Sequence, residues 1–269
     1  MFWEEQNVND FYHSLEKTKG VCVFPIGCIE KHGNHLPLGT DVYTSREIAA
    51  RASRLEEIMI FPSWPLGIVA EVKHKAGTIA VSSQLQFAML EEIFAEISRN
   101  GYKKIVFCSG HGGNTNFLNY FTQACLEKPR DYVVYNVACL RITPEQHADL
   151  SSRFGEIPPG GHADYNETAS VMAIRPDLVQ MELMDPQQSY GLGRSAWYES
   201  HGVSTGINWY AEHPEHFAGN PTGATAEYGE ALLNYQAQNL AEVLRKIKND
   251  DLIPNLFDEF YSKMHNPEI

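Results

Sequence analysis

The chain has 269 residues, of which 43% are hydrophobic and 20% are charged. That composition supports one sizeable core and excludes a chain that is disordered throughout, so we expect a single domain over residues 1–269. Acidic residues outnumber basic ones by 34 to 21, for a net charge of −13. This argues against nucleic acid or an anionic membrane as a partner, because both require a basic surface.

The cysteines and the N-terminal segment indicate a compartment. Five cysteines are scattered without a C-x-x-C pair, as is typical of reduced thiols. The N-terminal segment is acidic and lacks the apolar core of a secretion signal, and no apolar run reaches the ~20 residues of a membrane helix. These features predict a cytoplasmic protein.

Strand-like and helix-like patterns alternate along the N-terminal part of the chain. The apolar run 20–26 predicts a buried central strand, and a shorter strand follows at 58–61. Helices are predicted at 8–17, 44–54 and 83–99. Thr44 or Ser45 would cap the second of these helices, and Asn100 with Gly101 would end the third.

The alternation continues further along the chain. Strands are predicted at 104–109 and 132–137, with the turn Gly110–Asn114 and a helix to 126 between them. Further helices are predicted at 167–174 and 224–248, and the region 178–220 should form long functional loops. This order predicts an α/β fold with a mainly parallel sheet covered by helices on both faces.

Potential metal ligands follow two of the predicted strands. Glu30, His32 and Asp41 lie in the loop after the first strand, and His111 lies in the turn after 104–109. Because ligands bind beyond the carboxyl ends of parallel strands, we expect both loops to open onto one edge. With Glu167 at a later helix start, these side chains are the donors of hydrolytic Zn²⁺ and Mn²⁺ sites.

Each of these residues also has an ordinary structural interpretation. Asp41 could cap the following helix, Glu167 could compensate a helix dipole, and the histidines could be hydrogen-bonded loop residues. The turn Gly110–Asn114 could bind an anion at a helix N-terminus, although it contains no lysine. Only a metal site explains why these residue types gather at strand ends on one predicted edge.

Three motifs, "PIGCIEKHGNHLPLGTD", "SGHGGN" and "GHADYNETA", together resemble the creatininase (creatinine amidohydrolase) family. The most specific part is the E-x-H-x8-D spacing of the first motif. The resemblance implies a three-layer α/β/α fold, a binuclear metal site at the carboxyl strand edge and a homohexamer.

The resemblance also implies residue roles. Carried over by position, one ion would be held by Glu30, Asp41 and His111, and the other by His32, Asp41 and Glu167. Asp41 would bridge the two ions. His162 matches the family histidine thought to carry a proton, and support of a ligand carboxylate is its alternative role.

Two departures from the family pattern argue against creatinine as the substrate. Creatinine-cleaving members commonly have a carboxylate two residues after the GHG histidine, where this chain has Gly113. The usual G-H-A-G-E pattern reads G-H-A-D-Y from Gly161 to Tyr165. Neither departure changes the implied metal ligands.

These inferences predict a hydrolase that cleaves a C–N bond of a small cyclic amide or formamide with a hydroxide bridging two divalent ions. The ions would be Zn and/or Mn, with Fe as a further candidate. Hydrolysis of a C–C bond in a cyclic inosose-type ketone at the same site is one alternative, and a non-catalytic metal-binding assembly protein is another. His74, Trp197 and Trp209 are candidate substrate-binding residues, and the expected partners are a small-molecule substrate and further copies of the chain.

Overall fold

The central sheet is parallel, as predicted. The computed structural model describes residues 1–264, and within them four strands pair in the order β2–β1–β3–β4. The strands are β1 (Val21–Ile26), β2 (Met59–Ile60), β3 (Lys104–Ser109) and β4 (Val133–Val137). In the β1–β3 ladder Val21 lies opposite Lys104 and Ile26 opposite Ser109. The two central strands therefore end at the same level of the sheet.

The helices surround this sheet and continue to the end of the described chain. In chain order they are α1 (Val8–Thr18), α2 (Thr40–Leu55), α3 (Ser83–Arg99), α4 (Asn114–Ala124), α5 (Pro144–Phe154), α6 (Tyr165–Ile174), α7 (Ala196–Ser200), α8 (Asn208–Glu212), α9 (Ala226–Lys248) and α10 (Leu252–Met264). Within residues 1–264, no helix is both long enough and apolar enough to cross a bilayer.

Successive side chains of β1 alternate between two hydrophobic cores. Val21 and Val23 pack in a core with residues of α2 and α9. Cys22, Phe24 and Ile26 pack on the opposite face with residues of α3 and α4. Because β1 is covered on both faces, all of its residues are buried. The arrangement is the predicted three-layer α/β/α fold.

The start of α2 differs from the prediction. This helix begins at Thr40, its N-cap is Gly39 without a side-chain hydrogen bond, and Thr44 and Ser45 are buried inside it. The predicted cap at Thr44 or Ser45 was therefore wrong. Asp41 is not a cap either, because it lies within the first turn.

The start of α4 also differs. From the sequence, Asn114 is expected to cap the helix that follows Gly113. In the structure Gly113 is the N-cap and Asn114 is the first helical residue, so this prediction was wrong. The Asn114 side chain is used elsewhere: its Oδ1 accepts from the Ile68 N–H at 2.9 Å, and its Nδ2 donates to Ser109 Oγ at 3.2 Å. It therefore ties the loop before α3 to the end of β3.

Two helices outside the region 178–220 were absent from the prediction. Helix α5 begins with a capping box between Thr143 and Gln146 and has a proline at its start, and α10 follows α9 directly. The region 178–220 is largely irregular, as predicted, apart from α7, α8 and short 3-10 turns. The prediction of one domain over 1–269 includes residues 265–269, which lie outside the described residues, and it stays a prediction.

Candidate metal centre

Two glycines allow α2 to start directly at the ends of the central strands. A Cβ on Gly27, after β1, would lie 2.5 Å from the backbone nitrogen of Val42, and a Cβ on Gly110, after β3, would lie 2.2 Å from the Asp41 carbonyl oxygen. No larger residue fits either position without moving the helix. The first turn of α2 therefore places Asp41 at the level where β1 and β3 end.

Asp41 is 1% exposed and lies between two histidines. Its Oδ1 is 3.0 Å from His32 Nε2, and its Oδ2 is 3.0 Å from His111 Nδ1. Each carboxylate oxygen thus faces a different imidazole. This is the arrangement that a carboxylate bridging two ions requires.

Backbone carbonyls fix which ring nitrogen of each histidine faces Asp41. His111 Nε2 lies 2.9 Å from the Ile68 oxygen, and His32 Nδ1 lies 3.2 Å from the Glu30 oxygen. Because a carbonyl only accepts, these nitrogens carry the protons of the neutral rings. The remaining nitrogens, His111 Nδ1 and His32 Nε2, face the carboxylates and would be the metal-binding atoms once the rings are deprotonated.

Glu30 is fully buried, and its two oxygens have different surroundings. Oε2 lies 2.6 Å from His216 Nε2, and His216 Nδ1 accepts a hydrogen bond of 2.7 Å from Trp209 Nε1. Trp209 thereby places the proton of a neutral His216 on Nε2, which donates to Glu30. Oε1 receives no hydrogen bond although His111 Nδ1 is 2.9 Å away. A buried carboxylate oxygen beside an imidazole nitrogen requires a positive charge shared by the two atoms, supplied by a proton or by a metal ion.

Glu167 arrives from the first turn of α6. The helix is capped by Asp164, whose Oδ1 accepts from the Glu167 N–H at 2.9 Å. Glu167 Oε2 accepts from the Ala163 N–H at 2.6 Å and lies 3.8 Å from His32 Nε2. Its side chain is one quarter exposed. Glu167 is therefore the carboxylate of the cluster that is open to solvent.

The electrostatics of the cluster favour positive charge. Burial acts to lower the pKa of His32, yet Asp41, Glu167 and Glu30 raise it to about 10. The pKa of His111 is also raised well above its usual value, since the charges of Glu30 and Asp41 outweigh its burial. A pocket that stabilises a proton on buried imidazoles will also stabilise a metal cation in place of that proton.

The carboxylates respond to the same environment in two ways. Burial would raise the pKa of Glu30, but His111 and His216 hold it well below its usual range. The pKa of Asp41 is lowered to about 2 by His32 and His111, again against its burial. Although a quarter of the Glu167 side chain is exposed, the protein around its carboxylate removes enough water to raise its pKa to about 8, against the opposing effect of His32.

The donor atoms form three overlapping groups, each with all its atoms within 4.8 Å of one another. The groups are Cys28, Glu30, Asp41 and His111; His32, Asp41 and Glu167; and Glu30, His32 and His162. The structure thus brings together all five sequence-predicted ligands. Oxygen and nitrogen donors in this number fit divalent transition metals.

His162 lies directly over His32. The two rings are stacked with centroids 4.2 Å apart, and His162 Nε2 lies 2.8 Å from the Lys31 carbonyl oxygen, to which it donates. Burial, together with the neighbouring His32, holds the pKa of His162 well below its usual value. His162 is therefore a neutral imidazole whose Nδ1 is left as an acceptor.

The three predicted substrate-binding residues lie in different surroundings. Trp209 contacts the cluster through His216, and its ring centroid is 6.0 Å from that of His162. His74 donates from Nε2 to the Pro214 oxygen at 2.7 Å. Trp197 is 64% exposed and stacks on His201 with centroids 4.4 Å apart. Of the three, only Trp209 has a described contact that leads to the cluster.

Two side chains that contact the ligands, Cys28 and His216, were not predicted from the sequence to lie at the metal cluster. Cys28 lies two residues before Glu30 in the first motif, but a single cysteine after an apolar strand is more often part of a core. His216 lies in an irregular segment with no period to place it. The only sequence signal for either residue was its type, since cysteine and histidine are potential ligands and both lie in segments with several other such residues.

Two cavities border the cluster from different sides. One, of about 440 Å³, has Glu167 in its wall together with Thr44, Asp164 and Tyr228. The other, of about 340 Å³, is bordered by His111 and is lined by polar and apolar residues of β3, α4, β4 and the segment after β4. Cavities of this size accommodate small molecules.

Comparisons with known proteins agree with this geometry. The family model for creatininase (creatinine amidohydrolase) matches residues 4–244. Creatinine amidohydrolase of Pseudomonas putida is 21% identical over 174 residues, which is 60% of this chain and 67% of that protein. The mycofactocin precursor peptide peptidase of Mycolicibacterium smegmatis is 27% identical over 237 residues, 84% of this chain and 85% of that protein.

Solved structures show the same fold. A crystal structure of creatinine amidohydrolase (creatininase) superposes with a TM-score of 0.77 at 18% identity, covering 93% of this chain and 98% of that one. A manganese form of creatininase gives 0.75 at 18% identity over 93% and 99% of the two chains. A Zn–Zn form of a mutant creatininase gives 0.73 at 18% identity over 93% and 98%. The chain belongs to the creatininase family of amidohydrolases.

Proposed function

We propose that this protein is a binuclear metal-dependent hydrolase that cleaves a C–N bond in a small cyclic amide or formamide. The observation that carries the proposal is the position of Asp41, whose two oxygens each face the lone pair of a different histidine at 3.0 Å. One ion would be held by Glu30, Asp41 and His111, and the other by His32, Asp41 and Glu167.

The donors suit zinc, manganese or iron, because all are carboxylate oxygens or imidazole nitrogens. Related structures contain manganese in one case and two zinc ions in another. When bound, such ions lower the pKa of water and polarise a substrate carbonyl. The chain itself must hold the ligands in place and move the proton.

His162 is the residue that we assign to proton transfer. It is neutral, its Nε2 is held by the Lys31 carbonyl, and its ring lies against His32. Its Nδ1 can accept a proton beside the ligands and deliver it to the departing nitrogen. The same hydrogen bond to Lys31 keeps the ring oriented between the two transfers.

The structure argues against creatinine as the substrate, because the carboxylate that creatinine-cleaving members commonly have two residues after the GHG histidine does not fit here. A Cβ at Gly113 would lie 2.4 Å from His111 Nε2, so a carboxylate cannot occupy this position while His111 keeps its place. We therefore favour another small amide. Because the mycobacterial relative that aligns over most of the chain is a peptide peptidase, a peptide amide is the second candidate.

The substrate class can be tested with purified, metal-loaded protein. We expect turnover of cyclic amides or formamides, abolished by a chelator and restored by Zn²⁺ or Mn²⁺. Inososes and short peptides should be measured in parallel, since turnover of either instead would identify the alternative reaction. Chelation that lowers the melting temperature while no substrate is turned over would support a non-catalytic metal-binding protein.

Glu167→Gln tests the second ion position. The amide keeps the size of the side chain but is a poor ligand, so we expect the ion count by elemental analysis to fall from two per chain to one and turnover to be lost. Glu182→Gln, at an exposed glutamate, is the control. Two ions per chain in Glu167→Gln would contradict the proposed ligand set.

His162→Ala separates proton transfer from ligand support. We expect kcat to fall by about 10²–10⁴-fold, with the ion count and ion affinity unchanged and the pH dependence of the rate altered. Turnover close to that of the unchanged protein would rule out the proton-transfer role. A loss of ion affinity would instead indicate that His162 supports a ligand.

We further propose that the enzyme acts as a homo-oligomer in the cytoplasm, with six subunits by family resemblance. Light scattering on the purified protein measures the subunit number directly. A monomer at all concentrations would contradict this part of the proposal without affecting the metal site.

A further inference from the structure

Cys28 lies inside the metal-binding cluster rather than in the surrounding core alone. It is fully buried, two residues before Glu30, and its Sγ is 3.1 Å from Asp41 Oδ2. That oxygen is the one that faces His111. The thiol therefore points at one of the two proposed ion positions and not at the other.

The other cysteines have different surroundings. The thiols of Cys22, Cys108 and Cys139 contact backbone carbonyl oxygens, of Val23, Ser45 and Ser109 respectively. Among the described hydrogen bonds of cysteines, that of Cys28 is the one with a carboxylate. Its environment is that of a ligand rather than of a core thiol.

A second observation, independent of Cys28, points to positive charge at this position. Glu30 Oε1 is buried without a hydrogen bond, and the His111 nitrogen 2.9 Å away has its lone pair toward it. A shared positive ion resolves this contact between two electron-rich atoms. The Cys28 sulfur, one oxygen each of Glu30 and Asp41, and one nitrogen of His111 all lie within 4.8 Å of one another, a spacing compatible with one ion bound by all four.

We propose that Cys28 Sγ is a fourth protein ligand of the ion held by Glu30, Asp41 and His111. This rests on the binuclear site of the proposed function. As the ion binds, the S–H bond breaks, the proton passes to solvent, and the thiolate forms a bond to the metal. The hydrogen bond from the thiol to Asp41 is lost, and that oxygen also coordinates the ion.

The two ion positions then differ in kind. The position with Cys28 has four protein donors, one of them a soft thiolate that favours Zn²⁺ or Co²⁺ over Mn²⁺. The position with His32 and Glu167 has three hard or borderline donors and is open beside the partly exposed Glu167. We therefore expect one tightly held, zinc-selective ion and one exchangeable ion in each chain.

Cobalt substitution provides the test. The metal-free full-length protein is titrated with Co²⁺, and the near-ultraviolet absorption is followed, because a thiolate ligand gives an intense sulfur-to-cobalt charge-transfer band that oxygen and nitrogen donors do not. We expect the band to grow with the first equivalent of Co²⁺ and then stop. In Cys28→Ala it should be absent, while Co²⁺ still binds.

Cys22→Ala is the matched control. It also removes a buried thiol, but this thiol lies in β1 and its described hydrogen bond is with a backbone carbonyl. The band should persist in this variant. Competition between Zn²⁺ and Mn²⁺ gives a second readout, with the preference for Zn²⁺ reduced at least tenfold in Cys28→Ala.

The outcomes distinguish this inference from the proposed function. Binding of two Co²⁺ ions by the unchanged protein without a charge-transfer band would overturn the role of Cys28 and leave the binuclear site intact. Failure of the unchanged protein to bind Co²⁺ or Zn²⁺ at all would overturn both. A band that survives in Cys28→Ala would also reject Cys28 as the ligand.

Discussion

At the scale of single residues, the metal centre depends on Gly113, because the missing side chain at this position leaves space for the ring of His111. Gly113 follows His111 by two positions and has an ordinary helical backbone conformation, with φ −61°. Its absent Cβ leaves space for His111 Nε2, which would otherwise be 2.4 Å away. His111 can then donate to the Ile68 carbonyl and direct Nδ1 at Glu30 and Asp41.

Gly113→Ala should therefore displace His111 without straining the backbone. We expect ion affinity to fall by about 10–100-fold, the size of effect seen when the support of a ligand is lost, as measured by competition with a chromogenic chelator. Gly112→Ala is the control, because a Cβ there meets nothing within 4 Å. Equal affinities in the two variants would show that His111 does not need this space.

A second residue-scale prediction concerns Trp209. Its Nε1–H fixes the proton of His216 on Nε2, which then donates to Glu30 Oε2. Trp209→Phe keeps an aromatic ring but removes the N–H group, so the proton of His216 is no longer fixed on Nε2. We therefore expect about tenfold weaker binding of the ion held by Glu30. Trp197→Phe, at the exposed ring, should leave ion affinity unchanged.

The same pair of variants separates two roles for Trp209. If Trp209 lines the substrate site, as the sequence suggested, KM should rise in Trp209→Phe while ion affinity stays constant. Titration of the metal-free variants and steady-state kinetics on the loaded ones distinguish these results. A change in neither quantity would contradict both roles.

At the scale of elements, the position of Glu167 depends on how α6 packs against α9. Gly229 on α9 approaches α6 so closely that a Cβ would lie 1.9 Å from the Ala169 carbonyl oxygen. Tyr228, beside it, donates from its hydroxyl to Asn166 Oδ1 at 2.7 Å. The close contact therefore holds the first turn of α6, where Glu167 lies.

Gly229→Ala should force the two helices apart. Overpacking of this kind costs about 1–3 kcal/mol, against a gain of about 1 kcal/mol in helix propensity from alanine. Because the contact at 1.9 Å is with a backbone atom, the cost should lie at the upper end of this range. We therefore expect the free energy of unfolding in urea to fall by about 2 kcal/mol and the ion near Glu167 to be lost more readily.

The control for this variant is Gly206→Ala, at a glycine whose Cβ would have no neighbour within 4 Å. Its stability should be unchanged. A Gly229→Ala protein as stable as the original, with two ions per chain, would show that α6 and α9 can separate without moving Glu167.

Elements with a strong local pattern were predictable, and those positioned by tertiary contacts were not. The buried run of β1 and the amphipathic α3 follow from hydrophobic periodicity alone, and both lie within a residue of the predicted bounds. Helix α2 starts four residues early because the space beside Gly27 and Gly110 admits it. The local sequence around α2 does not show how closely the ends of β1 and β3 approach this helix.

The candidate site divides in the same way. Glu30, His32, Asp41 and His111 could be grouped from sequence because they follow parallel strands, whose carboxyl ends share an edge. Glu167 was a fifth candidate at a predicted helix start, and only the family resemblance assigned it to one ion with His32 and Asp41. His216 approaches Glu30 from the irregular region 178–220, where no periodicity defines a position, so only coordinates show that contact.

At the scale of the whole molecule, the centre joins segments that are far apart in the sequence. Its donors come from the loop after β1, the start of α2, the turn after β3 and the start of α6. An unfolded chain does not hold these groups together, so ions should bind the folded state almost exclusively. Binding is then linked to stability.

Removal of the ions should therefore lower the melting temperature. At free ion concentrations of about 1,000 times Kd, one bound ion adds about 4 kcal/mol, which corresponds to a shift on the order of 10 °C for a chain of this size. Differential scanning calorimetry of loaded and chelator-treated protein measures the shift. Asp41→Asn, which removes the ligand shared by both positions, should melt at the same temperature with and without chelator. A chelator shift as large in Asp41→Asn as in the unchanged protein would mean that the stabilising ions do not depend on Asp41, whose two oxygens lie 3.0 Å from His32 and His111.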